Sequence, residues 1–161
     1  MQTGDYLVHN SGKVCQITGT EIMKLTGKDV RYLILTPIRG SAETIYVPEE
    51  VASATLKPIM SRAEAMNLIH RMDEIEPLKI QNERHRDQEY AAAYNTQDMD
   101  TMVSVVKELH NRQEHRRSIG KALPSKDAQM MARVQSTIDE CMAIALGIRP
   151  EEVSDFIRDN R

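Results

Sequence analysis

The chain has 161 residues, 40% of them hydrophobic and 28% charged, with a formal net charge of −3; that is enough for one ordinary domain or two small ones, and the composition excludes wholesale disorder. No run approaches the roughly 20 apolar residues that cross a bilayer, and the opening MQTGDYLVHN lacks the basic and apolar regions of a secretory signal, so a soluble protein of the cytoplasm is expected. Cys15 and Cys141 each lie in an apolar stretch and read as buried, reduced thiols, and His9, His70, His85, His110 and His115 match no zinc-binding spacing, so neither a disulfide nor a metal or other cofactor is expected.

The first part of the chain reads as strands. Tyr6-Leu7-Val8 is followed by Asn10-Ser11-Gly12, a cluster suited to a turn, and then by the apolar segment of Val14, Cys15 and Ile17. Thr26-Gly27-Lys28 punctuates before Val30-Arg31-Tyr32-Leu33-Ile34-Leu35, a β-branched and aromatic-bearing run typical of a buried strand. Gly40-Ser41 separates it from Thr44-Ile45-Tyr46-Val47, and Pro48, which has no ladder N–H, belongs at a strand end or sheet edge. Five short strands over residues 1–60 predict a small SH3-like or Tudor-like β-barrel.

From Ser61 the apolar period changes from two to about 3.6. Ser61-Arg62-Ala63-Glu64 has the capping-box form, and Ala65, Leu68, Ile69 and Met72 make one apolar stripe of a helix that Pro77 ends. A second helix is expected from Asn82 to Tyr94. Asp98 caps a third, with Met99, Met102, Val103, Val106 and Leu109 facing inward and Lys107, Arg112 and Arg116 outward. Ser125 caps a fourth, whose apolar face is Met130, Val134, Ile138, Cys141, Met142, Ala145 and Leu146 and whose stop is Gly147. A short fifth helix begins at Pro150 and packs Val153, Phe156 and Ile157 back on the bundle. The fold class is therefore α+β, a β module over 1–60 followed by about five helices over 61–161. The ten methionines fall mostly at core-facing helical positions, which favours core filling over a plastic partner-binding groove.

Signatures of catalysis are missing. No GxSxG elbow and no phosphate-cradling glycine loop occurs, and the adjacent acids Glu49-Glu50, Asp139-Glu140 and Glu151-Glu152 read as exposed or capping positions, so the chain is not expected to be an enzyme. Charge is uneven. Between Lys107 and Arg133 seven Lys or Arg residues stand against three acids, whereas Val134–Arg161 carries six acids against three arginines. Two readings of the basic window stand: cations complementing a helix C-terminus, or phosphate contact, since Lys121 and Lys126 carry the charge across the following loop.

The order and spacing of these pieces resemble one family. Gly4-Asp5-Tyr6-Leu7-Val8, Ser11-Gly12-Lys13-Val14-Cys15-Gln16-Ile17, Tyr32-Leu33-Ile34-Leu35 and Ile45-Tyr46-Val47-Pro48 are similar to the RNA polymerase interaction module shared by CarD, CdnL and the transcription-repair coupling factor. Ser61 with Glu64 and Ala65, Arg86 with Tyr90, Asp98, Val106-Lys107-Glu108-Leu109, Gly120-Lys121-Ala122-Leu123 with Asp127, and Ala145-Leu146-Gly147-Ile148 resemble the CarD helical domain. The resemblance implies a bacterial transcription regulator. Its Tudor-like module would dock an edge strand on the polymerase β subunit through Thr44, Ile45, Tyr46, Val47 and Pro48, with Met23 on a neighbouring strand near the same surface. Its helical domain would lie near promoter DNA, bound weakly alone and tethered by polymerase, with Glu83, Arg84, Arg86, Arg112, Arg116, Arg117, Lys121, Lys126 and Arg133 as candidate contacts. Some members carry arginines at the positions of Met23 and Tyr46 and a DNA-wedging tryptophan near that of Glu83; this chain has no tryptophan. A monomer with no membrane partner is favoured, and the alternative function is a protein-binding adaptor with no DNA role.

Overall fold

The computed structural model describes residues 1–40 and 43–161, which divide into two compact units, Met1–Ile59 and Met60–Arg161. The chain is of the α+β class. The first unit holds β1 (Tyr6–His9), β2 (Val14–Leu25), β3 (Lys28–Pro37), β4 (Ile45–Pro48) and β5 (Leu56–Pro58), with a 3-10 turn at Glu49–Val51 and the single-turn helix α1 (Ala52–Thr55) before the last strand. Of the expected Gly40-Ser41 separator, Ser41 lies outside the described residues.

All pairings are antiparallel and the strand order is β4-β3-β2-β1-β5. The sheet is open, not the closed barrel expected: among the described residues β4 and β5 are its edges and no ladder joins them. The β2–β3 hairpin turns in the two residues between the last pair, Leu25↔Lys28; Thr26 and Gly27 both take positive φ, 54° and 80°. That is the primed-turn geometry whose twist suits a hairpin.

A bulge between Ile17 and Gly19 sets which side chains face the core. Ile17 pairs with Leu35, a core residue, but Gly19 pairs with Ile34 on the opposite face, because the extra residue Thr18 resets the two-residue alternation. Leu7, Cys15, Ile17, Leu33, Leu35, Val47, Ala52 and Leu56 then form one buried cluster, with Ile45 against it.

The second unit contains α2 (Arg62–Arg71), α3 (Arg86–Asn95), α4 (Met99–Ser118), α5 (Ser125–Leu146) and α6 (Val153–Asn160). Ser61 and Glu64 form the expected capping box, Ser61 Oγ accepting from Glu64 N at 3.2 Å and Glu64 Oε2 from Ser61 N at 2.7 Å. Asp98 caps α4 by accepting from Thr101 N at 2.9 Å. Gly147 ends α5 in the left-handed region at φ 69°, where an L side chain would be strained. Leu68, Ile69, Tyr90, Tyr94, Met102, Leu109, Val134, Ile138, Met142 and Leu146 are the larger members of its core. Met60, Met66, Met72, Met99, Met130 and Met131 pack around that core, as core filling requires.

Several boundaries and faces differ from expectation. The first helix stops at Arg71, well before Pro77, because a 3-10 turn at Met72–Glu74 follows it and Lys107 Nζ takes the carbonyls of Met72 at 2.6 Å and Ile75 at 2.7 Å. Lys107 therefore does not look outward; it satisfies carbonyls that a helix end leaves without partners. Asn82 caps the 3-10 turn Glu83–His85 rather than an α-helix, and α3 starts only at Arg86. Ser125 is the first helical residue of α5, with Pro124 at the cap. Glu140 is buried at 7% exposure, not on a solvated face; Ser136 Oγ donates to it at 3.4 Å. No helix among the described residues is long and apolar enough to cross a membrane.

Candidate functional site

Two surfaces gather the residues singled out by sequence. The first is the β4 edge. Among the described residues β4 pairs only with β3, in the register Tyr32↔Pro48, Leu33↔Val47, Ile34↔Tyr46 and Leu35↔Ile45. Its far side therefore presents unpaired main-chain groups, the feature that lets a sheet accept another strand. Val47 and Ile45 turn toward the core, so alternation puts Tyr46 on the outer face, where it is 45% exposed. Thr44 precedes the strand and is exposed, and Pro48 closes it.

Met23 lies on β2, so β3 stands between it and β4. It pairs with Val30, and because of the bulge it occupies the same outer face as Ile34 and Tyr46. Met23, Val30, Tyr32, Ile34 and Tyr46 thus form an apolar strip beside the open edge. All but Tyr46 are only partly exposed.

The second surface is built by the 3-10 turn before α3, the end of α4 and the start of α5. Its arginines are mostly engaged within the protein. Arg86 Nε and Nη2 grip the Asp127 carboxylate at 3.1–3.3 Å, and Asp127 is 2% exposed, which accounts for a buried acid by pairing it. Arg112 meets two carboxylates: Nη1 and Nη2 donate to Glu83 at 2.9 and 3.0 Å, and Nη2 also donates to Glu108 at 2.8 Å. Arg112 is thus not outward-facing as expected. Tyr90 Oη donates to the other oxygen of Glu108 at 2.5 Å.

The charges respond accordingly. Arg112 holds Glu83 well below the usual carboxylate range, and Glu83 in turn raises the Arg112 guanidinium. Asp127 raises Arg86. Burial first, then Glu108, raises the Tyr90 phenol. The i,i+4 spacing of Glu108 and Arg112 was a visible sign of this network; the Tyr90 and Glu83 links, which cross between elements, had no local signal.

Arg116 Nε donates to the Ala122 carbonyl at 2.9 Å, tying the helix end to the loop, and Arg117 pairs with Glu114 at 3.1 Å. Arg133 lies over the Tyr94 ring at 4.9 Å from its centroid. Arg84, Lys121 and Lys126 are exposed, and none has a side-chain partner among the described residues. Of the nine residues expected near DNA, these three offer undivided positive charge. No group of three metal-ligating side chains occurs among the described residues. The chain matches no model of a known protein family, and no curated protein matches it.

Proposed function

We propose that this chain is a bacterial transcription regulator of the CarD type, which binds the RNA polymerase β subunit through its first unit and contacts promoter DNA through its second. The observation that carries the reading is the free edge of β4 with Tyr46 exposed beside it. The strand order, with β5 returning to β1 after a helical turn, supports an SH3-like or Tudor-like reading of the first unit, as does its small single-cluster core. In β-augmentation the main chain supplies a framework of about 1 kcal/mol net per hydrogen bond, and side-chain pockets add specificity. Tyr46 is the anchor that fits this division, because it is large, exposed and set on an edge strand. DNA contact rests on Arg84, Lys121 and Lys126, a few exposed cations on a chain of net charge −3, so binding to free DNA is weak and tethering by polymerase supplies the local concentration.

The test is capture of purified polymerase β subunit by the tagged full-length chain. Wild type retains it, and a folded Tyr46→Glu variant, which puts a charge on the apolar strip, loses at least tenfold in affinity. A wild-type chain that captures no polymerase overturns the reading. One observation favours a second: with Arg86, Arg112 and Arg117 already held by carboxylates, the helical unit offers few free cations, as a protein-binding adaptor without a DNA role would. Polymerase–promoter complexes formed equally well with a Lys121→Glu/Lys126→Glu variant decide for the adaptor.

A further inference from the structure

Arg112 is a single positive charge facing two carboxylates, and the two are not equivalent. Glu108 stands one helical turn before it on α4, is 15% exposed at its side chain and is fixed through its second oxygen by Tyr90. Glu83 comes from the separate 3-10 turn Glu83–His85, is 64% exposed, and has both oxygens on Arg112. Arg112 itself is only 20% exposed, and its Nε is buried with no hydrogen-bond partner among the described residues. Glu83 is thus the solvent-side partner of a guanidinium whose other side is built into the unit.

The pairing is fork to fork, two roughly parallel N–H···O bonds. A phosphodiester group takes an arginine by the same geometry, so a carboxylate in this position occupies the place a phosphate would fill. Exposed ion pairs are weak and open readily, whereas the interior pair with Glu108 stays. Arg84, next to Glu83 on the same 3-10 turn, is exposed and has no side-chain partner among the described residues, which adds positive charge to that turn.

We propose that Glu83 is a carboxylate gate over Arg112: a DNA phosphate displaces it and takes the two Arg112 nitrogens that Glu83 holds in the free protein. The gate rests on the DNA-contact reading above and adds its regulation. While Glu83 is seated the surface lacks one phosphate contact, which keeps binding to free DNA weak. When the chain is held against a duplex, Glu83 swings to solvent and Arg112 joins Arg84, Lys121 and Lys126.

The test measures binding of the full chain to a short DNA duplex across salt concentration. Glu83→Asp keeps the charge but is one methylene too short to hold both Arg112 nitrogens. It is expected to tighten binding several-fold with the log–log salt slope unchanged, because a phosphate reaches Arg112 in both complexes and only the cost of displacing Glu83 is lowered. In an Arg112→Gln background the same substitution is expected to change nothing. If Glu83→Gln tightens binding while Glu83→Asp matches wild type, simple charge removal is the cause and the gate is overturned. Equal gains with and without Arg112 overturn it as well. Because Arg112→Gln leaves Glu108 without its cation and threatens the fold, the NMR resonance of Arg112 Nε–H in Glu83→Asp is a second readout: it shifts on saturation with duplex if the gate is right, and stays fixed if it is wrong. Failure of the underlying DNA reading has its own pattern, salt-independent binding that Lys121→Gln/Lys126→Gln leaves unchanged, and that too removes the gate.

Discussion

Burial decides the chemistry of the two cysteines. Cys15 and Cys141 are free thiols at 0% and 3% exposure, one in each unit. Desolvation, with a smaller contribution from the Glu140 charge, pushes Cys141 up to about 12 from the ordinary 9.0. The thiolate is the reactive form, so neither cysteine is expected to react with a disulfide reagent in the folded protein near neutral pH, and both react once denaturant is added. Release of one thiol equivalent without denaturant would show that one unit opens. The sign of the pH effect follows from the same shift. A folded value above the unfolded one favours the protonated thiol, so stability is intact below about pH 9 and falls as pH rises through the folded value. Tyr90, raised in the same direction from 10.0, adds to this alkaline loss. Sequence placed both cysteines in apolar stretches, which is the local part of the answer. It could not show Glu140 buried beside Cys141 on α5, because a carboxylate on a helix reads as solvent-facing until its neighbours are known.

At the scale of elements, local chemistry was legible where the partners are near in sequence. The capping box at Ser61 and Glu64, the cap at Asp98 and the stop at Gly147 each depend on atoms within a few residues. The faces of α4 were legible only in part. Met102, Val103 and Leu109 are buried as their spacing requires, but Lys107 and Arg112 point to carbonyls and carboxylates supplied by other elements. The β2 bulge was invisible for the same reason, since it is a relation between two strands. Its consequence is a choice of face: without the extra residue Met23 would fall on the core face, not on the outer face that also carries Tyr46.

The β2–β3 turn offers a direct check on element stability. Thr26 holds φ 54°, a region that costs an L residue roughly 1–2 kcal/mol and is least suited to a β-branched one. Asparagine tolerates it far better, and Asn-Gly is the preferred pair for this turn. The hydroxyl of Thr26 bonds only its neighbour's carbonyl, Leu25 O at 2.7 Å, in an exposed position where water replaces it. Thr26→Asn is therefore expected to stabilise the first unit by about 1 kcal/mol, read as a higher denaturation midpoint at unchanged m-value. A midpoint equal to or below that of wild type would mean that the Thr26 conformation costs nothing here.

At the scale of the whole molecule, each of the two units has a hydrophobic cluster of its own. Among the described residues, the cluster of the first unit is made of residues between Leu7 and Leu56, and that of the second of residues between Met60 and Ile157. Each unit thus holds a hydrophobic cluster within its own bounds, so 1–59 and 60–161 are each expected to unfold cooperatively when made as separate chains. The smaller is the more marginal, because a domain of about 60 residues buries only about 60% of its unfolded surface. A fragment 60–161 lacking a cooperative thermal transition would show that the helical unit depends on the first. If both fragments fold, the division gives the function its sharpest check. Under the proposed reading the first unit supplies attachment to polymerase and the second a weak DNA contact, and a covalent link turns that contact into an intramolecular one at an effective concentration on the order of millimolar. The fragments mixed in trans at micromolar concentration are then expected to lose nearly all of the full chain's effect on promoter-complex lifetime, although fragment 1–59 still binds the polymerase β subunit. Full activity from fragment 60–161 alone would mean that the helical unit finds the promoter complex without the β4 edge, and that the edge strand serves some other partner.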